Sequence, residues 1–176
     1  MSVDGSTTGG QPGEPKNYDG TVEGPMSLRR ALAKSKNMVS IRILQAVGPR
    51  NAQEWLTRFG FDADKHPAYL PMALGAGAVT PMQMATAYSV FANGGYRLNP
   101  WLITKVTDHK GRTLVETAAP ELPEDLRGIP ARNAFIMGSM LNEVARSGTA
   151  AKATATLTRP ALSGKTGPHN DPVDAR

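Results

Sequence analysis

Leu162-Ser163-Gly164-Lys165-Thr166-Gly167 places a cation, a hydroxyl and a bare backbone position side by side near the C-terminal end of the sequence. An ammonium supplies a point charge, a hydroxyl a directed donor and a glycine clearance, so the stretch is suited to cradle a carboxylate. Its small residues follow Pro160-Ala161, and the spacing predicts a strand over Leu162 to Thr166 whose edge a ligand can approach closely. On its own, Lys165-Thr166-Gly167 also fits a plain strand running into a turn. A second short signal, Ser35-Lys36-Asn37, stands where one helical stretch gives way to another.

Outward from these two points the chain is mostly helical. Residues 1 to 25 hold Gly9-Gly10, Pro12-Gly13, Pro15 and Gly24-Pro25 with few large apolar residues, which predicts an extended arm anchored through Tyr18. Ser27 is a good N-cap for a short helix over Leu28 to Ala33. A second helix, Asn37 to Val47, is apolar on most of its circumference and is expected to be central and buried. Gly48-Pro49 ends it, and an amphipathic helix over Asn51 to Phe59 follows, closed by Gly60.

Asp62 to Gly77 reads as a closely packed loop. Thr80-Pro81 then starts a helix lined by Met84, Ala87, Tyr88 and Phe91, which Asn93-Gly94-Gly95 ends. A hairpin is expected from Trp101 to Asp108 and Arg112 to Glu116 around His109-Lys110-Gly111. The apolar spacing of Met137, Met140, Leu141 and Val144 predicts a long helix over Ala131 to Arg146, with Gly148 as its cap. A strand at the end of such a chain needs neighbours that the sequence does not supply. The expected fold class is therefore α+β, an incomplete domain with a largely helical part, one hairpin and one C-terminal sheet strand.

Composition narrows the function. The 176 residues suit one domain. The net charge of +5 is scattered rather than massed, and aromatics make up only 6% of residues, which argues against a nucleic-acid partner. There is no cysteine, so neither disulfides nor thiolate metal sites arise and the redox compartment stays open. His66, His109 and His169 lie far apart and read as surface loop residues, so no metal and no cofactor is expected. No apolar run reaches the length of a membrane span, and Met1-Ser2-Val3-Asp4 lacks the pattern of an export signal.

The residues also carry a family likeness. Pro15-Lys16-Asn17-Tyr18-Asp19-Gly20, the run from Gly24 to Asn37, Gly77-Ala78-Val79-Thr80-Pro81-Met82-Gln83-Met84-Ala85, Phe91-Ala92-Asn93-Gly94-Gly95-Tyr96 and Ser163-Gly164-Lys165-Thr166-Gly167 closely resemble the transpeptidase domain of class A penicillin-binding proteins. The likeness runs in order over roughly residues 9 to 174. It implies a penicillin-binding, serine β-lactamase-like domain over residues 26–176, an antiparallel sheet against a helical cluster with the site between them. The implied reaction is acyl transfer from a D-alanyl-D-alanine stem peptide through an acyl-enzyme, inhibited by β-lactams, at the periplasmic face of the inner membrane. Ser35 would relay a proton, Asn37 would hold the substrate amide and Lys165 would supply charge. Thr166, with Gly167 beside it, would bind the terminal carboxylate.

Two departures accompany the resemblance. The family's Ser-x-x-Lys nucleophile is missing, because no serine here has a lysine three positions on; Ser27 comes nearest, with Arg30. Pro168 stands where the family has a threonine whose N–H serves the oxyanion hole, and proline has no N–H to donate. Loss of one such donor typically costs about 10²–10³ in rate. The sequence thus reads as a transpeptidase fragment inactive by itself. The alternative is a non-catalytic module that binds peptidoglycan peptide or a cell-wall partner. Oligomeric state is left open.

Overall fold

A computed structural model describes residue 17, residues 20–118 and residues 121–167. The expected arm lies largely outside the described residues, as do Tyr18, Pro168 and His169. Six helices and one hairpin make up the regular structure of what is described. Helix α1 (Leu28–Ala33) opens with the Ser27 hydroxyl accepting from Arg30 N–H, the N-cap foreseen for it. Helix α2 (Asn37–Val47) stops at Gly48, whose φ of 90° reverses the chain into α3 (Pro49–Leu56). A 3-10 turn, Thr57–Phe59, continues α3 to Gly60, so the helix expected to reach Phe59 tightens in its last turn.

Helix α4 (Pro81–Ala92) begins with a complete capping box: Gln83 N–H donates to Thr80 Oγ1, and Thr80 N–H donates to Gln83 Oε1. Strands β1 (Lys105–Thr107) and β2 (Thr113–Glu116) pair antiparallel, shorter than expected and exposed along both. The Asp108 carboxylate closes their turn by accepting from Lys110 and Arg112 N–H. Helix α5 (Ala131–Ser147) is the longest element, and α6 (Ala151–Leu157) follows it closely.

Two small cores result. Ile41 and Leu44 of α2 meet Leu70 of the loop, with Met72 and Ala52 beside them. Val90 of α4, Ile129 and Ala134 form the second, flanked by Phe59 and Phe91. Helix α1 packs on α5, with Ala31, Ala33, Val144 and Ala145 all buried. Gly148 follows α5, and a Cβ there would sit 2.3 Å from the Ala33 carbonyl oxygen. Only glycine therefore allows the ends of α1 and α5 to meet as they do, and Thr149 N–H then donates to Ala33 at 3.1 Å.

Three expectations need correction. No strand forms over 162–166, because the sheet among the described residues contains only β1 and β2 and offers this segment no ladder. Helix α2 buries only Ile41 and Leu44, while Ile43 and Val47 are exposed, since the loop 3-10 turn covers just one of its faces. His66 is buried rather than at the surface: its ring fills the space over Gly77 and meets Phe61 edge-on, and its carbonyl accepts from Gln53 Nε2 at 2.6 Å.

The loop between α1 and α2 is clamped from behind. Lys36 is only 3% exposed, and its ammonium lies 3.0 Å from Glu23 Oε1 and donates to Thr21 Oγ1 at 3.0 Å. Glu23 also pairs with Lys34 and Arg30. Hydrogen bonds from Lys34, then Lys36, hold its carboxyl at a pKa of about 2, down from 4.5. A carboxyl whose folded-state pKa lies below its unfolded value stabilises fully above 4.5, and that contribution is lost as pH falls toward about 2.

Two outcomes are expected. Urea midpoints of the wild type should fall across that acid window more steeply than those of Glu23→Gln, and parallel curves would contradict the clamp. Leu141→Ala, at a buried α5 position, should cost about 2–5 kcal/mol in the same titration, against about 1 kcal/mol for removing the Thr80 cap by Thr80→Ala.

Candidate functional site

Ser35 reaches its position through the way α1 ends. Lys34 N–H bonds to the Arg30 carbonyl, Ser35 N–H to Leu32 and Lys36 N–H to Ala31. This closes the helix with Ser35 in the left-handed region at φ 52°. The chain turns back at once into α2. Neither residue of the motif serves as the helix cap that its type would allow: Lys36 occupies the N-cap without a side-chain bond, and Asn37 is the first helical residue. The Ser35 hydroxyl is instead turned to a partner 130 residues away.

That partner is Lys165. Its ammonium donates to Ser35 Oγ at 2.6 Å and to the Thr166 carbonyl at 2.7 Å. An ammonium has three N–H donors, so one remains for a ligand. Partial burial pushes the Lys165 pKa below its ordinary 10.5, since desolvation penalises the charged form. Without a sheet, the segment is held by α5: Asn142 Nδ2 donates to the carbonyls of Pro160 and Leu162, and Gly164 N–H donates to Leu141.

The hydroxyl of Thr166 is hydrogen-bonded to that of Thr149, the second residue past α5. Gly167 is exposed beside it. The structure therefore unites Ser35, Lys165 and Thr166 in one locus. Asn37 lies two residues from Ser35 at the start of α2, half-buried and hydrogen-bonded, while Lys165 reaches to Ser35 rather than to it. Lys36, inside the same motif, points the opposite way into the Glu23 clamp.

Thr149 was not legible beforehand. Ser147-Gly148-Thr149 reads as an ordinary helix end, and only the α1–α5 contact brings this threonine to the site. The locus has one ammonium and three hydroxyls, those of Ser35, Thr149 and Thr166, which is the chemistry of an anion cradle with a proton-bearing hydroxyl at one side. An apolar cavity of about 830 Å³ lies elsewhere, lined by Leu44, Phe61, His66, Met72 and Met84 among others. It includes neither Ser35 nor Lys165. Among the described residues no group of His, Cys, Asp and Glu is arranged to hold a metal, and no helix is long and apolar enough to cross a membrane.

Comparison with known proteins identifies the family. The penicillin binding protein transpeptidase domain family matches residues 2–170. Penicillin-binding protein 1A of Neisseria flavescens is 46% identical over 176 residues, covering 99% of this chain and 22% of the relative. That of Pseudomonas aeruginosa is 38% identical over 206 residues, covering 91% of this chain and 25% of the relative. The crystal structure of penicillin-binding protein 1A from Haemophilus influenzae superposes with a TM-score of 0.85 at 32% identity, over 97% of this chain and 30% of that one. The chain thus spans about a quarter of the length of the relatives it matches. The expected α+β class holds, with the helical part and the hairpin present and the rest of the sheet not among the described residues. The chain belongs to the class A penicillin-binding proteins and forms part of their transpeptidase domain.

Proposed function

We propose that this chain supplies the carboxylate-binding and proton-relaying side of a peptidoglycan D,D-transpeptidase, working on D-alanyl-D-alanine stem peptides and blocked by β-lactams. The observation that carries this reading is the 2.6 Å hydrogen bond from Lys165 to Ser35, which joins two motifs from opposite ends of the sequence. Lys165 and Thr166 take the terminal carboxylate, the former by charge and the latter as a hydroxyl donor. Asn37 holds the substrate amide.

The reaction needs a nucleophile that this chain does not contain, since no serine here has a lysine three positions on. In the whole domain, that serine attacks the carbonyl of the penultimate D-alanine and the peptide bond breaks. The departing D-alanine amine takes its proton through Ser35. Because Lys165 donates to Ser35 Oγ, the hydroxyl's own proton is free to point at that nitrogen. An amine of a neighbouring strand then attacks the acyl-enzyme and releases the serine. Such chemistry belongs outside the cytoplasmic membrane, where peptidoglycan lies. By itself the chain acylates nothing.

Two measurements test this. Intact-mass analysis of the chain after incubation with excess benzylpenicillin should show no adduct. A chimera in which residues 1–167 replace the matching segment of the Neisseria flavescens protein, whose own residues then follow Gly167, should gain one acyl group. Lys165→Ala in that chimera should slow acylation roughly 10- to 100-fold, the effect of losing a charge-assisted hydrogen bond. An adduct on the chain alone would move the nucleophile to a serine within it, and a folded chimera that stays unlabelled would overturn the reading.

The second measurement concerns charge. With a folded-state pKa below 10.5, Lys165 binds its proton more tightly in the unfolded chain. Stability should therefore rise as pH climbs from the folded-state value toward 10.5. The difference in urea midpoint between wild type and Lys165→Met should narrow or change in the wild type's favour over that range. A difference independent of pH would show that the amine is solvated.

A further inference from the structure

Thr166 has one hydroxyl proton and two lone pairs, and so has Thr149. The hydrogen bond between the two oxygens uses one of the two protons, and in the unliganded chain either atom can be its donor. A carboxylate only accepts. Once a carboxylate sits against Thr166, the Thr166 proton is committed to it, and the bond to Thr149 can persist only if Thr149 donates. The pair thus has one arrangement compatible with ligand.

We infer that Thr149 is a positioning residue that donates to Thr166 Oγ1 and so directs the Thr166 proton at the terminal carboxylate of a bound peptide or β-lactam. The inference rests on the carboxylate-binding reading above and extends it to a residue on a separate element. Thr149 is fixed for this task by its backbone: its N–H is bound to the Ala33 carbonyl at 3.1 Å, and Gly148 before it admits no side chain against the same carbonyl. Ala33 ends α1, two residues before Ser35. The end of α1 therefore sets both Ser35, which holds Lys165, and Thr149, which holds Thr166.

Two hydroxyl contacts, Ser35 to Lys165 and Thr149 to Thr166, grip adjacent residues of one segment that has no sheet ladder among the described residues. Each needs its own support, and each has one.

The test uses the full 176-residue chain, isotope-labelled, titrated with an N-acetylated peptide ending in D-alanyl-D-alanine and with the same peptide amidated at its C-terminus. Dissociation constants come from amide shifts. Thr149→Val and Thr149→Ala both remove the hydroxyl, Thr149→Ser keeps it, and none touches the backbone bond to Ala33. The expected result is about 10-fold weaker binding of the free-acid peptide by the valine and alanine variants, with the serine variant near wild type. Affinity for the amidated peptide should be unchanged, and adding Thr149→Val to Thr166→Val should cost nothing more.

Wild-type affinity for the free acid in either hydroxyl-less variant would overturn the role of Thr149 while leaving the cradle intact. A wild-type chain that binds acid and amide equally would overturn the cradle and, with it, this role. A loss shared by both peptides would mark Thr149 as structural only.

Discussion

The contact between the ends of α1 and α5 governs the site. The Ala33 carbonyl oxygen lies where a side chain on Gly148 would begin, at 2.3 Å, and no rearrangement short of separating the helices would admit one. A single carbonyl thus fixes the distance between two helices at the point where both stop. Past one stop stands Ser35, past the other Thr149. Burial of Ala31, Ala33, Val144 and Ala145 behind this point supplies the driving force, small side chains allowing a close approach that larger ones would forbid.

The segment around Lys165 shows how a site can be ordered without regular structure. Backbone groups that would pair in a sheet are met by α5 instead, through the Asn142 carboxamide and the Leu141 carbonyl. Side-chain donors satisfy the carbonyls of Pro160 and Leu162 singly, which secures position but not the repeating register of a ladder. Exposed apolar residues remain nearby in the same helix, Phe135 at 78% and Ile136 at 53%. Both are on the N-terminal half of α5, away from the Gly148 contact.

Sequence patterns read well where the physics is local. The Thr80-Pro81 start, the Ser27 cap and the apolar spacing of α5 depend on neighbours within a turn or two, and each element formed close to the expected bounds. The motifs around Ser35 and Lys165 were visible as short strings, and their meeting was implied by resemblance alone. What depended on distant partners was not visible. A strand over 162–166 required a neighbouring strand; the burial of α2 required cover on a second face; the burial of His66 required Gly77 to stand opposite its ring. Thr149 is the plainest case, an unremarkable polar residue after a helix until the fold places Thr166 against it.

Ser35 adopts a backbone conformation that costs an L-residue with a side chain about 1–2 kcal/mol and costs glycine almost nothing. Selection for stability alone would put glycine there, as the chain itself does at Gly48, Gly60 and Gly75, all at φ near 90°. The serine that stands there instead gives up a relaxed turn and provides the hydroxyl that accepts from Lys165. Stability-driven redesign of this domain would tend to replace it, yielding a sturdier protein whose lysine has lost its partner.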